Sequence, residues 1–320
     1  MTFLISETLD PACADWLSQR GKVVFRTVDD SDFKRQLATA DALIVRTYTQ
    51  VTGELLDNAP HLKVIGRAGV GLDNIDLEAA RKRNIPVVYT PDANTQAVVE
   101  YVLGLILDEL RPRTDMPITP SAEVFHAMRT NEVGTQLSDL TLGIVGFGRI
   151  GKRPGQVAHA IGMNLLVCDL LPEHKLRQAV DFPFDFVGHM DLYEHSDIVS
   201  LHVDGRPSNR HLINALALGH FKSQALLINA ARGMLVDAPS LAEWARRYPH
   251  ARAILDVHDP EPPSGNYPLY DLTNVRLLPH LASRTNTAMR NMSWVVRDVV
   301  AVLEGRDPQY LADSANPNPA

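Results

Sequence analysis

Two doubly wound, parallel-sheet α/β domains are what the sequence predicts, on three observations. Short apolar runs alternate with helix-like segments, the alternation restarts after residue 140, and one long apolar helix separates the two series. A chain of 320 residues also exceeds one ordinary core, so two domains are expected on length alone.

In the first series, residues 3–5, 23–25, 42–45, 64–66 and 87–89 read as buried strands. Residues 11–18, 33–38 and 77–83 lie between them as helices. Strands that are apolar throughout belong to parallel sheets covered on both faces. Residues 95–110 follow, with Val98, Val99, Val102, Leu103, Leu105 and Ile106 at helical spacing. This helix is expected to bridge the domains and to offer an apolar face to a second copy of the chain, core packing being the alternative. The proline-rich stretch 111–120 ends it.

The second series has strands at 142–145, 165–169, 198–201, 226–229, 253–256 and 275–278. A last helix, 286–303, carries a stripe of Met289, Met292, Val295, Val296, Val299 and Val300 that needs a surface, and the first sheet supplies it. The second unit, about 99–283, is thereby inserted into a domain built from 1–98 and 284–320. The tail 312–320, rich in Asn, Ala and Pro, is expected to fray.

Composition removes several function classes. A net charge of −7 disfavours a phosphate-backbone partner, so no nucleic-acid role is expected. Local arginines can still capture an acidic substrate. The two cysteines, Cys13 and Cys168, are too few for a disulfide framework and fit a reducing cytoplasm; Cys168 sits in an apolar run and reads as core. The start, MTFLISETLDPACADW, lacks a basic segment followed by a long apolar one, so no secretory signal is expected. Every apolar run falls well short of the roughly 20 residues that span a bilayer, so no membrane partner is expected.

The sharpest local signal is the run from Leu142 to Gly151, LGIVGFGRIG. It follows an apolar strand and opens a helix, the context that gives a GxGxxG pattern its meaning. Gly146 permits the tight turn, Gly148 lets backbone approach a pyrophosphate, and Gly151 allows close packing of helix on strand. The N–H groups near Arg149 and Ile150 then face the phosphates at the positive helix end. The next strand ends in Asp169, 18 residues after Gly151. A carboxylate there binds ribose hydroxyls and repels a 2′-phosphate, which favours NAD over NADP. Pro154 costs little in the first helical turn, and His159 is placed on the exposed face without a role.

From here the sequence resembles the D-isomer-specific 2-hydroxyacid dehydrogenase family, which includes D-3-phosphoglycerate dehydrogenase, hydroxypyruvate and glyoxylate reductases and D-lactate dehydrogenase. The resemblance covers nearly the whole chain. Its markers stand in family order: GRAGVGLDNID from Gly66 to Asp76, Asn94-Thr95 with Glu100, the glycine turn, Ser200-Leu-His202, NAARGMLVD from Asn229 to Asp237, DVHDPEP from Asp256 to Pro262, and PHLAS from Pro279 to Ser283. It implies a Rossmann-type nucleotide domain within a flavodoxin-like substrate domain. It also implies cofactor contacts at Thr95, His202, Ala230 and Asp256, the last to the nicotinamide carboxamide.

Reducing a 2-keto acid takes a hydride at carbon and a proton at the carbonyl oxygen, and no metal is needed if a protonated base and a fixed cation polarise the C=O. His280 is the candidate acid–base, because imidazole titrates near neutral pH. Glu261 holds one ring nitrogen and favours the protonated ring. Arg232 presents a planar, permanently charged fork to carboxylate and keto oxygen. Singly, these also read as a surface cation, a loop carboxylate and a strand-end histidine; the resemblance implies the catalytic roles for all three. The substrate carboxylate is expected at Val70 and Gly71, where the glycines turn N–H groups outward, with a plain flexible turn as the alternative. Asp237 reads as a helix cap.

Departures from the family pattern bear on substrate. Tyr48 stands where phosphoglycerate-specific members often carry a second arginine, leaving Arg46 as a candidate contact or a plain surface residue. Asp204-Gly205 replaces a common proline near the adenine, Asp139 a common glycine, and 112–125 is atypical. The sequence ends soon after Leu311, so no additional C-terminal regulatory domain is expected. The reading is an NAD(H)-linked oxidoreductase acting on a small D-2-hydroxy or 2-keto acid in a cleft between domains, as a homodimer. An NAD(H)-binding corepressor-like or sensor protein is the alternative from another class, and phosphite oxidation a lesser one. Formate enzymes of this type pair the histidine with Gln, so Glu261 speaks against formate.

Overall fold

A computed structural model describes residues 1–312 of the chain. The tail expected to fray therefore lies, from residue 313, outside the described residues. The chain divides into two compact units, Met1–Ala97 joined by the segment from Ser283 onward, and Val98–Ala282.

The first unit is built from β1 (Thr2–Ile5), α1 (Pro11–Ser18), β2 (Lys22–Phe25), α2 (Phe33–Leu37), β3 (Ala42–Val45), α3 (Gly53–Asp57), β4 (Val64–Arg67), α4 (Leu77–Lys82) and β5 (Val87–Tyr89). Its strands are all parallel, in the order β2-β1-β3-β4-β5. That is the flavodoxin-like order, which places loops at the carboxyl edge. Helix starts follow local chemistry. The Asp10 carboxylate accepts from Ala12 N–H with Pro11 at the first helical position, and the Asp76 carboxylate accepts from Ala79 N–H.

The second unit begins inside α5 (Thr95–Leu110) and continues through α6 (Ala122–Asn131), β6 (Thr141–Val145), α7 (Lys152–Ala160), β7 (Asn164–Cys168), α8 (Glu173–Gln178) and β8 (Asp185–Phe186). It is completed by α9 (His189–His195), β9 (Ile198–Leu201), α10 (Ala215–Gly219), β10 (Leu226–Asn229), α11 (Ala238–Arg247), β11 (Arg252–Leu255) and β12 (Val275–Leu277). The seven-stranded sheet runs β12-β11-β10-β9-β6-β7-β8, again all parallel. The order reverses at the β6/β9 junction, where doubly wound sheets open a crevice.

Two layers of apolar side chains cover this sheet. Val98, Val102, Leu105 and Ile106 of α5 join Leu142, Ile144, Val167 and Ile228 in one layer. Leu192, Leu218, Leu241 and Trp244 join Val199, Leu227 and Leu255 in the other. The buried side of α5 thus packs within its own unit, the core packing offered as the alternative, while Leu107 is 41% exposed. The segment after it behaves differently: α6 has no buried residue, and Met116 and Ile118 are 57% and 95% exposed.

The chain returns to the first unit with α12 (Asn286–Ser293) and α13 (Val296–Leu303). The single long helix expected here is two, with a tighter turn between them in which Val295, Arg297 and Asp298 N–H groups bond three residues back, to Met292, Trp294 and Val295 carbonyls. Val295, Val296, Val299 and Val300 pack with Phe3, Ile5, Ile44 and Val64 on the first sheet. Gly66 makes that close approach possible, since a Cβ there would stand 2.5 Å from Val299 Cγ2. Each fully buried valine contributes on the order of 1.5–3 kcal/mol. Among the described residues, no helix is long and apolar enough to cross a membrane.

Candidate active site

The residues singled out in the second unit fall at the carboxyl ends of its parallel strands. Gly146 follows β6, Asp169 follows β7, His202 follows β9, Ala230 and Arg232 follow β10, Asp256 follows β11, and His280 lies three residues past β12. Along the edge of the sheet they read His280, Asp256, Arg232, His202, Gly146, Asp169. Strands about 4.8 Å apart spread this row over roughly 24 Å, enough for an extended dinucleotide laid along the edge.

The glycine turn has the geometry its residues call for. Gly146 adopts φ +90°, and a Cβ there would lie 2.8 Å from the His202 carbonyl. At Gly151 a Cβ would meet Gly146 O at 2.0 Å and Ile144 Cγ2 at 3.2 Å, so this glycine closes the turn on itself as well as on the strand. Among the described residues, nothing beyond its own chain neighbours comes within 4 Å of a Cβ built on Gly148, which leaves its backbone open to a ligand. Arg149 and Ile150 are half-buried beside it. The Asp169 carboxylate accepts from Phe147 N–H at 2.6 Å and Leu171 N–H at 2.8 Å. It therefore shapes the turn, and each oxygen keeps a second lone pair open to a hydroxyl.

His202 shares a hydrogen bond of 2.9 Å between its Nε2 and Ser200 Oγ. Burial pushes its pKa down to about 4, so the ring is neutral at physiological pH. In the first unit, Thr95 Oγ1 and Asn94 Oδ1 are buried and lack a hydrogen-bond partner among the described residues. Such atoms are costly unless something completes them. Within the second unit, an open glycine backbone and a carboxylate at the end of the next strand are features a dinucleotide site uses, and these residues fit NAD.

Glu261 and His280 are brought together: Nδ1 of the imidazole lies 2.6 Å from Oε1 of the carboxylate. Burial pushes the Glu261 carboxyl up, but the His280 hydrogen bond and charge and the nearby His258 backbone outweigh it, holding the pKa below the ordinary 4.5. The pair is thus a carboxylate against a ring nitrogen that donates, which leaves Nε2 as the nitrogen for proton transfer. His280 sits at φ +54°, a left-handed conformation few non-glycine residues adopt. What holds it there is Asp256: its carbonyl accepts from His280 N–H, and its carboxylate accepts from Leu281 and Ala282 N–H, each at 2.8 Å. Asp256 is wholly buried. Its place is the foundation of the His280 turn, while contact with a nicotinamide amide remains a proposal.

Arg232 is half-buried on the neighbouring turn. Its carbonyl accepts from Asn229 Nδ2 at 2.8 Å, and Asn229 Oδ1 accepts from Ala231 N–H at 3.1 Å. The wholly buried Asn229 therefore fixes the arginine's backbone. Asn229 stood in the sequence motif without a role. Tyr101 was also missed: its hydroxyl donates to Asp256 Oδ1 at 3.1 Å. No local signal pointed to it, because 155 residues separate the two. Asp237 accepts from Ser240 N–H and caps α11, as read from sequence.

In the first unit, Arg46 donates from Nη1 to Thr8 O and contacts Met289 Sδ through Nη2, both at 3.1 Å. The guanidinium is thus anchored within its own unit. Glu7, unnoticed in the sequence, accepts backbone N–H groups from Arg46, Thr47, Tyr48 and Thr49 at 2.9–3.2 Å. Tyr48 is 66% exposed at the tip of that loop. Val70 is half-buried and Gly71 buried, after a turn in which Gly69 has φ +153°.

Comparison with known proteins bears on these features. The model of the D-isomer specific 2-hydroxyacid dehydrogenase NAD binding domain matches residues 103–282, more than half of the chain. D-3-phosphoglycerate dehydrogenase of Methanocaldococcus jannaschii is 34% identical over 98% of this chain but only 59% of its own length. The chain thus spans little more than half of such relatives. Hydroxypyruvate reductase of Thermotoga maritima is 31% identical over 90% of this chain and 93% of its own. The crystal structure of D-lactate dehydrogenase from Aquifex aeolicus, complexed with NAD and lactic acid, superposes with a TM-score of 0.81 at 25% identity, covering 95% of this chain and 96% of that one. The NAD-binding domain model and these relatives, alike over nearly the whole sequence, place the chain in the D-isomer-specific 2-hydroxyacid dehydrogenase family.

Proposed function

We propose that the protein interconverts a small D-2-hydroxy acid and its 2-keto acid with NAD(H). The observation that carries this reading is the 2.6 Å contact between His280 Nδ1 and Glu261 Oε1 beside the arginine-bearing turn. Bound dinucleotide supplies or accepts the hydride at the substrate's C2. In the reducing direction, His280 gives the proton on Nε2 to the keto oxygen as charge develops there. Glu261 steadies the ring in that tautomer and compensates its positive charge. Arg232 draws the carboxylate and keto oxygen into one plane by a forked pair of hydrogen bonds. In the oxidising direction the neutral ring takes the hydroxyl proton back.

Val70 and Gly71 are carried forward as contacts for the substrate carboxylate, and Arg46 as a contact for its side group. Thr95, His202, Ala230 and Asp169 are carried forward for the dinucleotide, with NAD preferred because Asp169 repels a 2′-phosphate. The segment Met1–Ala97 with Ser283 onward is then the substrate-binding domain. A cytoplasmic location agrees with Cys13 and Cys168, both free and buried. A homodimer is supported by α6: a ten-residue helix with no buried residue is marginal alone, and Val124 and Phe125 are 41% and 38% exposed. A monomer mass in sedimentation would remove the dimer.

The test is an NADH-oxidation screen over glyoxylate, hydroxypyruvate, phosphohydroxypyruvate and bulkier 2-keto acids, repeated with NADPH. Turnover of at least one acid with NADH is expected. Tight dinucleotide binding with no turnover across the panel would favour a sensor protein, and a clear NADPH preference would overturn the role given to Asp169.

A further inference from the structure

We propose that His258 is a positioning residue that holds the Arg232 turn, the Glu261 carboxylate and the His280 strand end in one register. The inference rests on the catalytic reading above, but it comes from a residue to which that reading gives no part. His258 is 7% exposed and lies between β11 and Glu261.

Three contacts converge on it. Its Nε2 lies 2.8 Å from the carbonyl of Leu278, two residues before His280. Its backbone lies close enough to the Glu261 carboxylate to help hold that group's pKa down. Its own carbonyl lies against Gly233, the residue after Arg232, where a Cβ would stand 1.9 Å from His258 O. That glycine is thus required by backbone-to-backbone packing between the arginine turn and His258. One residue therefore touches the supports of all three catalytic groups.

The ring chemistry explains why a histidine serves here. A carbonyl oxygen only accepts, so Nε2 must carry the proton. Nδ1 then holds a lone pair, and it is buried without a partner among the described residues. The ring packs edge-on against Tyr267, with centroids 5.7 Å apart. A phenyl ring would fill this space and bury no lone pair. What it would lack is the donor to Leu278 O, so the histidine is explained by that one hydrogen bond.

The donor is isolated by two amides of different reach. In His258→Gln the amide nitrogen falls close to the position of Nε2, while in His258→Asn it falls near Nδ1 and cannot reach Leu278 O. The kcat for keto-acid reduction is expected to stay within about threefold of wild type in His258→Gln and to fall about tenfold or more in His258→Asn, as misplacement of reacting groups predicts. The Kd for NADH should change little in either. A second readout needs no turnover. The His280 Nδ1 proton, in its short bond to Glu261, gives a strongly downfield NMR resonance, assigned by its loss in His280→Gln. It should persist in His258→Gln and broaden or move upfield in His258→Asn. Equal kcat and equal spectra in the two amide variants would overturn the proposal. If no keto acid is turned over by the wild type, the catalytic reading fails while the spectra still decide the role of His258.

Discussion

Two loops, one in each unit, are each organised by a single carboxylate, and they differ in what the carboxylate ties together. Glu7 accepts four successive backbone N–H groups, from Arg46 to Thr49, all just past β3. Asp256 accepts from Leu281 and Ala282, and also from the Tyr101 hydroxyl on α5. Glu7 is half-buried and shapes one loop; Asp256 is fully buried and joins separate elements. A carboxylate that grips one run of backbone fixes that run's curvature. One that joins distant elements fixes where a side chain such as His280 stands relative to the rest of its unit. The first arrangement leaves room for a side group such as Tyr48 to vary, and the second leaves His280 little freedom.

The sharpest break of this comparison removes the side chain that the second loop exists to place. His280→Gln leaves the backbone donors to Asp256 in place and deletes the proposed proton carrier. Turnover of any accepted keto acid is expected to fall by roughly 10²–10⁴, the usual contribution of a general acid. Dinucleotide affinity, read by quenching of protein fluorescence, should hardly change. Unaltered turnover would mean that the loop positions something other than the acid–base.

The next largest effect concerns the first loop. Burial pushes the Glu7 carboxyl up, yet the four backbone donors outweigh it and hold the pKa below the ordinary 4.5. A group with a depressed folded pKa contributes stability that is present above its unfolded value and lost as pH falls through the folded one. In Glu7→Gln an amide N–H₂ replaces one acceptor and faces backbone donors. The variant should lose about 1–3 kcal/mol at neutral pH, measured by urea unfolding. Because Gln does not titrate, the gap from wild type should shrink as pH drops below 4.5. A gap that stays constant down to pH values well below that would show that Glu7 is not held as a carboxylate.

The same contrast explains how much was legible in the sequence. Parallel strands buried on both faces appear as unbroken apolar runs, so β1, β3, β6, β9 and β10 stood out. The strand β8, with only Asp185 and Phe186, carries no such run. Nor did the stripe from Met289 to Val300 show its break, since neither proline nor glycine interrupts it. Among the candidate residues, Gly146 and Asp169 drew notice because their spacing has a chemical reason, and Arg232, Glu261 and His280 because they stand in motifs of the family resemblance. Glu7 and Tyr101 did not, because their partners lie 39 or more and 155 residues away. A single acid after a strand announces nothing until the fold brings the receiving loop to it.

Tyr101 supplies the finest test of the Asp256 junction. Burial and the neighbouring Asp256 charge both push its phenol pKa up, so the hydroxyl remains a donor across the physiological range. Tyr101→Phe removes that donor while Leu281 and Ala282 continue to satisfy both oxygens of the carboxylate. Only one of the bonds joining separate elements is lost, and a hydrogen bond to a charged group is worth about 1.5–3 kcal/mol at most. The expected result is a small drop in thermal stability and a fall in kcat of no more than about fivefold, with His280 still held by the backbone. If kcat instead fell as far as in His280→Gln, the hydroxyl would be acting on the reacting atoms directly, and Asp256 would no longer count as the anchor of the loop.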